Sequence, residues 1–150
     1  MNSDIETVKQ LREETGVSIM ACKRALAESN GDMEKAKEIL RKESDAVAIK
    51  KTERETKAGV IEAYIHSNKK VGVLMELRSE TDFVARNPEF ETLAHDIAMH
   101  IAASAPESVN DLASQPFIKD MSVTIGDKVK EAIQKFGENI EISRFERFTL

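Results

Sequence analysis

Just after Gly59, over about 59–77, the apolar residues of this chain recur at every second position, whereas before it they recur every three to four. No single secondary structure satisfies both periods, so the chain must change architecture there. Downstream, Ile61, Ala63 and Ile65 share one face and Glu62, Tyr64 and His66 the other. After Ser67-Asn68-Lys69-Lys70 the alternation resumes at Val71, Val73, Met75 and Leu77. This reads as a β-hairpin. Upstream, Ser3 and Glu6 form a capping box, and Ile5, Val8 and Leu11 follow at helical spacing until Gly16, which predicts a helix over about 4–15. A second helix is expected from Ser18 through Cys22, Ala25 and Leu26 to the Asn30-Gly31 break. Asp32 caps a third, with Met33, Ala36, Ile39 and Leu40 as its stripe.

The rest of the chain fits an α+β unit. Asn87-Pro88 supplies a cap and a first-turn proline for the longest helix, lined by Phe90, Leu93, Ala94, Ile97, Ala98 and Ile101 and ending near Ser104. Thr124 with Asp127 caps another, carrying Val129, Ala132, Ile133 and Phe136 and stopped by Gly137. The segment from Asn139 to Leu150 alternates at Ile140 and Ile142 and changes phase at Phe145 and Phe148, as a third strand with a bulge would. The expected layout is a three-helix bundle at 1–43, a linker at 44–58 and, at 59–150, a three-stranded antiparallel sheet packed with helices. Two helices cover one face of such a sheet, so the other face calls for a partner, and a homodimer is the natural inference.

Composition narrows the function. Net charge is −5, and residues 1–58 hold twelve basic and twelve acidic side chains, so the negative excess lies in 59–150. That balance argues against direct nucleic-acid binding. Apolar runs fall short of the roughly 20 residues of a membrane span. The start Met-Asn-Ser-Asp lacks the features of a secretory signal, so a cytoplasmic location is expected. The single cysteine, Cys22, reads as a small buried hydrophobe. The chain has no glycine-rich phosphate loop, no nucleophile elbow and no Cys-His metal spacing, so neither an enzyme nor a metal or other cofactor is expected. His95 and His100 read as solvated residues on a helix's polar face; a metal hydrolase built on His66, Asp96 and His100 lacks ligand spacing.

Two apolar features stand out. In Thr81-Asp82-Phe83-Val84-Ala85-Arg86-Asn87 a carboxylate sits beside an aromatic ring at a strand-to-helix junction. Taken by residue type alone, Asp82 caps a short helical turn and Phe83 closes the core above the sheet. Ile19-Met20 opens the second helix, whose inward stripe is already complete, so one of the pair should stay outside. Core packing is the default for such a pair, although methionine also suits recognition surfaces.

In order along the chain, LREETGVSIMACKRAL and NGDMEKA, then AYIHSNKKVGVLMELRSETDFVARNPEFETLAHDIAMHIAASAP, then QPFIKD and GENIEISRFERF closely resemble bacterial translation elongation factor Ts. The resemblance implies a ubiquitin-associated-like N-terminal bundle and a guanine-nucleotide exchange factor acting on elongation factor Tu, in its GDP-bound and nucleotide-free states. It implies that Thr81, Asp82, Phe83 and Val84 form the exchange segment, with Phe83 entering the partner near its magnesium and phosphate site. Leu11, Arg12, Ile19 and Met20 match the N-terminal contact, and His66 a position that reaches another partner domain. The alternative is a non-exchanging module whose bundle binds a ubiquitin-like fold or a peptide. Where the family often carries a long helical excursion, only Glu107 to Ser114 bridges this chain; Ser18 and Ala21 stand where Gly and Asp are common.

Overall fold

The structure, a computed structural model, describes residues 5–150. Ser3 of the first capping box lies outside them. The described chain forms two compact units, one of residues up to Thr52 together with Lys130–Gly137, the other of Glu53–Val129 with Glu138–Leu150.

In the first unit, helix α1 (Ile5–Thr15) ends where the Gly16 N–H bonds back to the Arg12 carbonyl at 2.7 Å, in a left-handed conformation suited to glycine. Ser18 caps α2 (Ile19–Glu28), its Oγ accepting the Ala21 N–H, and Asp32 caps α3 (Met33–Lys51) by accepting from Lys35 N–H at 3.1 Å. Val8, Leu11, Val17, Cys22, Ala25, Leu26, Ala36 and Leu40 close together as its core. Burial raises the Cys22 thiol above its ordinary range, as befits a packing residue. Helix α3 runs past residue 43, where its strong apolar stripe ends, because Ser44 and Ala48 remain buried. Small side chains pack there while contributing little hydropathic signal.

In the second unit, β1 (Ala58–Ile65) and β2 (Val71–Ser79) form the expected hairpin, and β5 (Glu141–Thr149) pairs with β2 on its other side. Both pairings are antiparallel. The expected bulge is present: the register slips between Glu76 and Leu77, which face Arg144 and Ile142. Without the slip, Ile142 and Phe145 could not both point to the helix side, because an odd spacing puts neighbours on opposite faces. Gly59 is demanded by the hairpin, since with φ of +151° any Cβ would stand 2.3 Å from the Leu77 carbonyl oxygen.

A single turn, α4 (Asp82–Ala85), follows β2 and leads into α5 (Pro88–Ser104), with Asn87 accepting the Glu89 N–H as cap. Helix α5 packs on β1 and β2, burying Phe90, Ala94, Ile97 and Ile101 against Val73, Met75 and Leu77. The short bridge forms helix α6 (Val109–Ser114), and a two-stranded sheet of β3 (Pro116–Phe117) and β4 (Asp120–Thr124) follows; neither was expected. Helix α7 (Ile125–Phe136) opens on the expected capping pair, with Asp127 accepting from Thr124 N–H at 2.9 Å and Thr124 Oγ1 from Asp127 N–H at 3.0 Å. Its second half belongs to the first unit, where Gln134 bonds Ser44, Lys130 pairs with Asp45 at 3.0 Å, and the Lys51 ammonium donates to the Gly137 carbonyl at 2.6 Å.

One sheet face carries α5. The opposite face leaves Ile61, Ile65, Leu74 and Phe148 exposed, with Glu76 held between Arg78 and Arg144 beside them. The Arg144 and Arg78 hydrogen bonds hold the Glu76 carboxyl below its usual range.

Candidate interaction site

The turn α4 divides adjacent side chains between two environments. Thr81 is its N-cap, with Oγ1 accepting the Val84 N–H at 3.4 Å, so the capping role expected of Asp82 falls one residue earlier. Val84 is only 5% exposed and Ala85 is buried beside it, whereas Phe83 is 88% exposed. Phe83 therefore does not close the core above the sheet. In a one-turn helix successive side chains diverge by about 100°, and the face that meets the β-hairpin is already occupied by Val84 and Ala85. Asp82 is exposed with Phe83, so this end of the unit offers a large aromatic ring beside a carboxylate.

The support of that turn comes from far along the sequence. One carboxylate oxygen of Glu138 accepts the N–H groups of Glu80 at 3.1 Å and Thr81 at 3.0 Å, while the other accepts the Thr81 hydroxyl at 2.7 Å. In return, Glu80 accepts the Asn139 N–H at 2.8 Å, and the buried Asn139 side chain donates to the Arg54 carbonyl at 2.8 Å. The Arg54 guanidinium stands 3.7 Å from Glu80. Sequence reasoning missed Glu138 altogether. Its partner lies 57 positions away, and a polar residue after a helix-ending glycine has no periodicity to reveal it.

The N-terminal residues separate by burial. Leu11 is fully buried in the bundle and supports it from within, so no partner can touch its side chain directly. Arg12 is exposed. Both Ile19 and Met20 are exposed, Met20 at 75%, so core packing claims neither of them. The Ser18 cap starts α2 just before the pair, and Cys22, Ala25 and Leu26 fill the inward side.

Of the histidines, His66 is exposed at the end of β1, its Nδ1 3.2 Å from the Tyr64 hydroxyl. Tyr64 meets the His95 ring edge-on, and His95 Nδ1 lies 3.5 Å from Glu62. His100 departs from expectation: it is wholly buried, not solvated. Its Nδ1 accepts the Ile118 N–H at 3.3 Å, which places the ring proton on Nε2 for Gln115 Oε1 at 2.9 Å. The residues on either side of β3, Gln115 and Ile118, supply the partners that make this burial tolerable. Asp96 pairs with Lys119 at 2.9 Å and does not meet His100. Among the described residues, no group of three or more His, Cys, Asp or Glu side chains is placed to hold a metal, and no helix is long and apolar enough to cross a membrane.

The family model for Elongation factor TS matches residues 80–150, the stretch that opens with the clamped turn and ends with β5. Elongation factor Ts of Fervidobacterium nodosum is 43% identical over 195 aligned positions, covering 100% of this chain and 99% of that protein. That of Thermosipho melanesiensis is 42% identical over 95% of this chain and 96% of its own length. Elongation factor Ts of Rubrobacter xylanophilus is 40% identical across 100% of both. An alignment 195 positions long against 150 residues means that these relatives carry segments with no counterpart here. Identity of 40–43% in alignments that cover 95–100% of the chain leaves one assignment: the chain belongs to the bacterial elongation factor Ts family of translation elongation factors.

Proposed function

We propose that the chain binds elongation factor Tu and promotes GDP release by inserting Phe83 near the magnesium and phosphate site of that partner. The observation that carries this reading is an 88% exposed phenylalanine on a turn whose neighbouring residues are buried and whose cap is tied to Glu138. An exposed ring of this kind has apolar area to bury only in another molecule. Asp82 beside it adds a negative charge where a phosphate-binding site would otherwise receive a nucleotide. No covalent chemistry is needed. GDP is held through phosphate contacts to backbone amides and a cation, and shifting those groups forfeits much of its affinity.

Weakening GDP about 10⁴-fold requires about 5.5 kcal/mol of preference for the disturbed state. The coupling is reciprocal, so nucleotide rebinding expels the factor by the same amount. Arg12, Ile19 and Met20 form the N-terminal contact in this reading, with Leu11 holding them from beneath, and His66 makes a separate contact with the partner. Ile61, Ile65, Leu74 and Phe148 are the face through which two copies pair, and the protein works in the cytoplasm as a homodimer. Release of labelled GDP from elongation factor Tu, measured with wild-type, Asp82→Ala and Phe83→Ala proteins, tests the core of the proposal. If both folded variants accelerate release as wild type does, it is wrong.

A further inference from the structure

We infer that Glu138 is the positioning residue of the exchange turn, an inference that rests on the exchange reading above. A one-turn helix does not persist by itself, because fixing its dihedrals gains very few hydrogen bonds. Val84 and Ala85 anchor one side of α4 in the unit. Its N-terminal approach is held by Glu138, whose two oxygens take two backbone N–H groups and the Thr81 hydroxyl. Because Thr81 gives its hydroxyl proton to Glu138, its oxygen lone pair is turned to the Val84 N–H. The carboxylate thus sets the rotamer of the cap as well as the path of the backbone. Glu80 answers from the opposite strand of chain by accepting the Asn139 N–H, and the Ser79 hydroxyl donates to the Thr81 carbonyl at 2.9 Å.

The consequence is an aromatic side chain held out in water on a backbone with little freedom left to lose. Preorganisation of this sort lets contact energy appear as work on the partner instead of being spent on ordering the loop. Without the carboxylate, Thr81 loses its hydrogen bonds to the segment after α7, and Glu80 keeps the Asn139 N–H bond and the indirect link through Arg54. The presenting conformation then becomes one of several, and the effect on the partner falls with its population. Docking through Arg12, Ile19 and Met20 is untouched by that loss.

The test is stimulated release of labelled GDP from elongation factor Tu, titrated to saturation with wild type, Glu138→Ala, Glu138→Gln, Phe83→Ala and the Glu138→Ala/Phe83→Ala double variant, each checked for folding by thermal melting. Glu138→Ala should lower the saturating rate about tenfold, equivalent to about 1.4 kcal/mol, with a smaller change in the half-saturating concentration. Glu138→Gln keeps an acceptor for the two N–H groups and should restore much of the rate. The double variant should be no slower than Phe83→Ala, since Glu138 acts through that ring. A normal saturating rate for Glu138→Ala beside an impaired Phe83→Ala overturns the positioning role alone. So does a double variant slowed by the product of the two single effects, which marks a general loss of structure. If Phe83→Ala itself is unimpaired, the exchange reading falls and this inference falls with it.

Discussion

Phe83 and Val84 are consecutive residues whose truncation should separate function from stability. Phe83 is 88% exposed, so Phe83→Ala removes almost no buried area and should change stability by no more than about 0.5 kcal/mol. Val84 is 5% exposed, and Val84→Ala deletes two buried carbons at about 0.8 kcal/mol each, with a further cavity cost. A loss of about 1.5–2.5 kcal/mol follows. For exchange the order reverses. Full burial of a phenylalanine side chain is worth about 1.5–3 kcal/mol, so its loss should slow stimulated GDP release about 10- to 150-fold. Denaturant melts of both variants give the first comparison and titrated GDP release the second. The reasoning is refuted if Phe83→Ala destabilises the protein by more than about 1 kcal/mol, or if Val84→Ala leaves the melt unmoved.

Leu74→Glu puts a charge in the middle of the exposed sheet face; if two copies pair through that face as proposed, sedimentation should show wild type as a dimer and the variant as a monomer, and two identical profiles would remove this face as the pairing surface. Gly59→Ala should cost about 2–4 kcal/mol, combining a strained φ with the clash on the Leu77 carbonyl, and an unchanged melt would contradict the hairpin geometry. The Glu14 carboxyl is held below its ordinary value of 4.5 chiefly by the hydrogen bond from Lys37, with Gln10 assisting. A depressed carboxylate contributes stability that is present above its unfolded pKa and lost as pH falls through the folded one. Lys37→Met should therefore flatten the acid limb of the stability curve below about pH 4.5, by under 1 kcal/mol because water screens the pair; equal acid limbs would rule the linkage out.

The elements with a strong apolar period were legible: α1, α2, α5 and α7 begin or end at the expected caps, and the β5 bulge appears where the alternation changes phase. What escaped has a common cause. Ser44 and Ala48 extend α3 with side chains too small to carry a stripe. The β3–β4 hairpin is stabilised by pairing, and β3 is only two residues long. His100 looks polar by type, yet Gln115 and the Ile118 N–H satisfy it inside the fold. For Phe83 the physics of residue types points inward, and only the occupancy of the inner face by Val84 and Ala85 turns it outward. The family resemblance singled out the segment that the structure leaves exposed at Phe83, but its supporting carboxylate at Glu138 carries no periodicity of its own.

The distance between Thr81 and Glu138 also orders events during synthesis. A ribosome that has released Phe83 from its tunnel has not yet made the residue that clamps the turn, nor the strand that pairs with β2 at Val71–Arg78. Long-range pairings of this kind close late, since loop entropy must first be overcome. The Phe83 turn is thus a last product of folding, and under the proposed function a chain cut short before Glu138 should keep its bundle contact with the partner while losing the ability to release GDP.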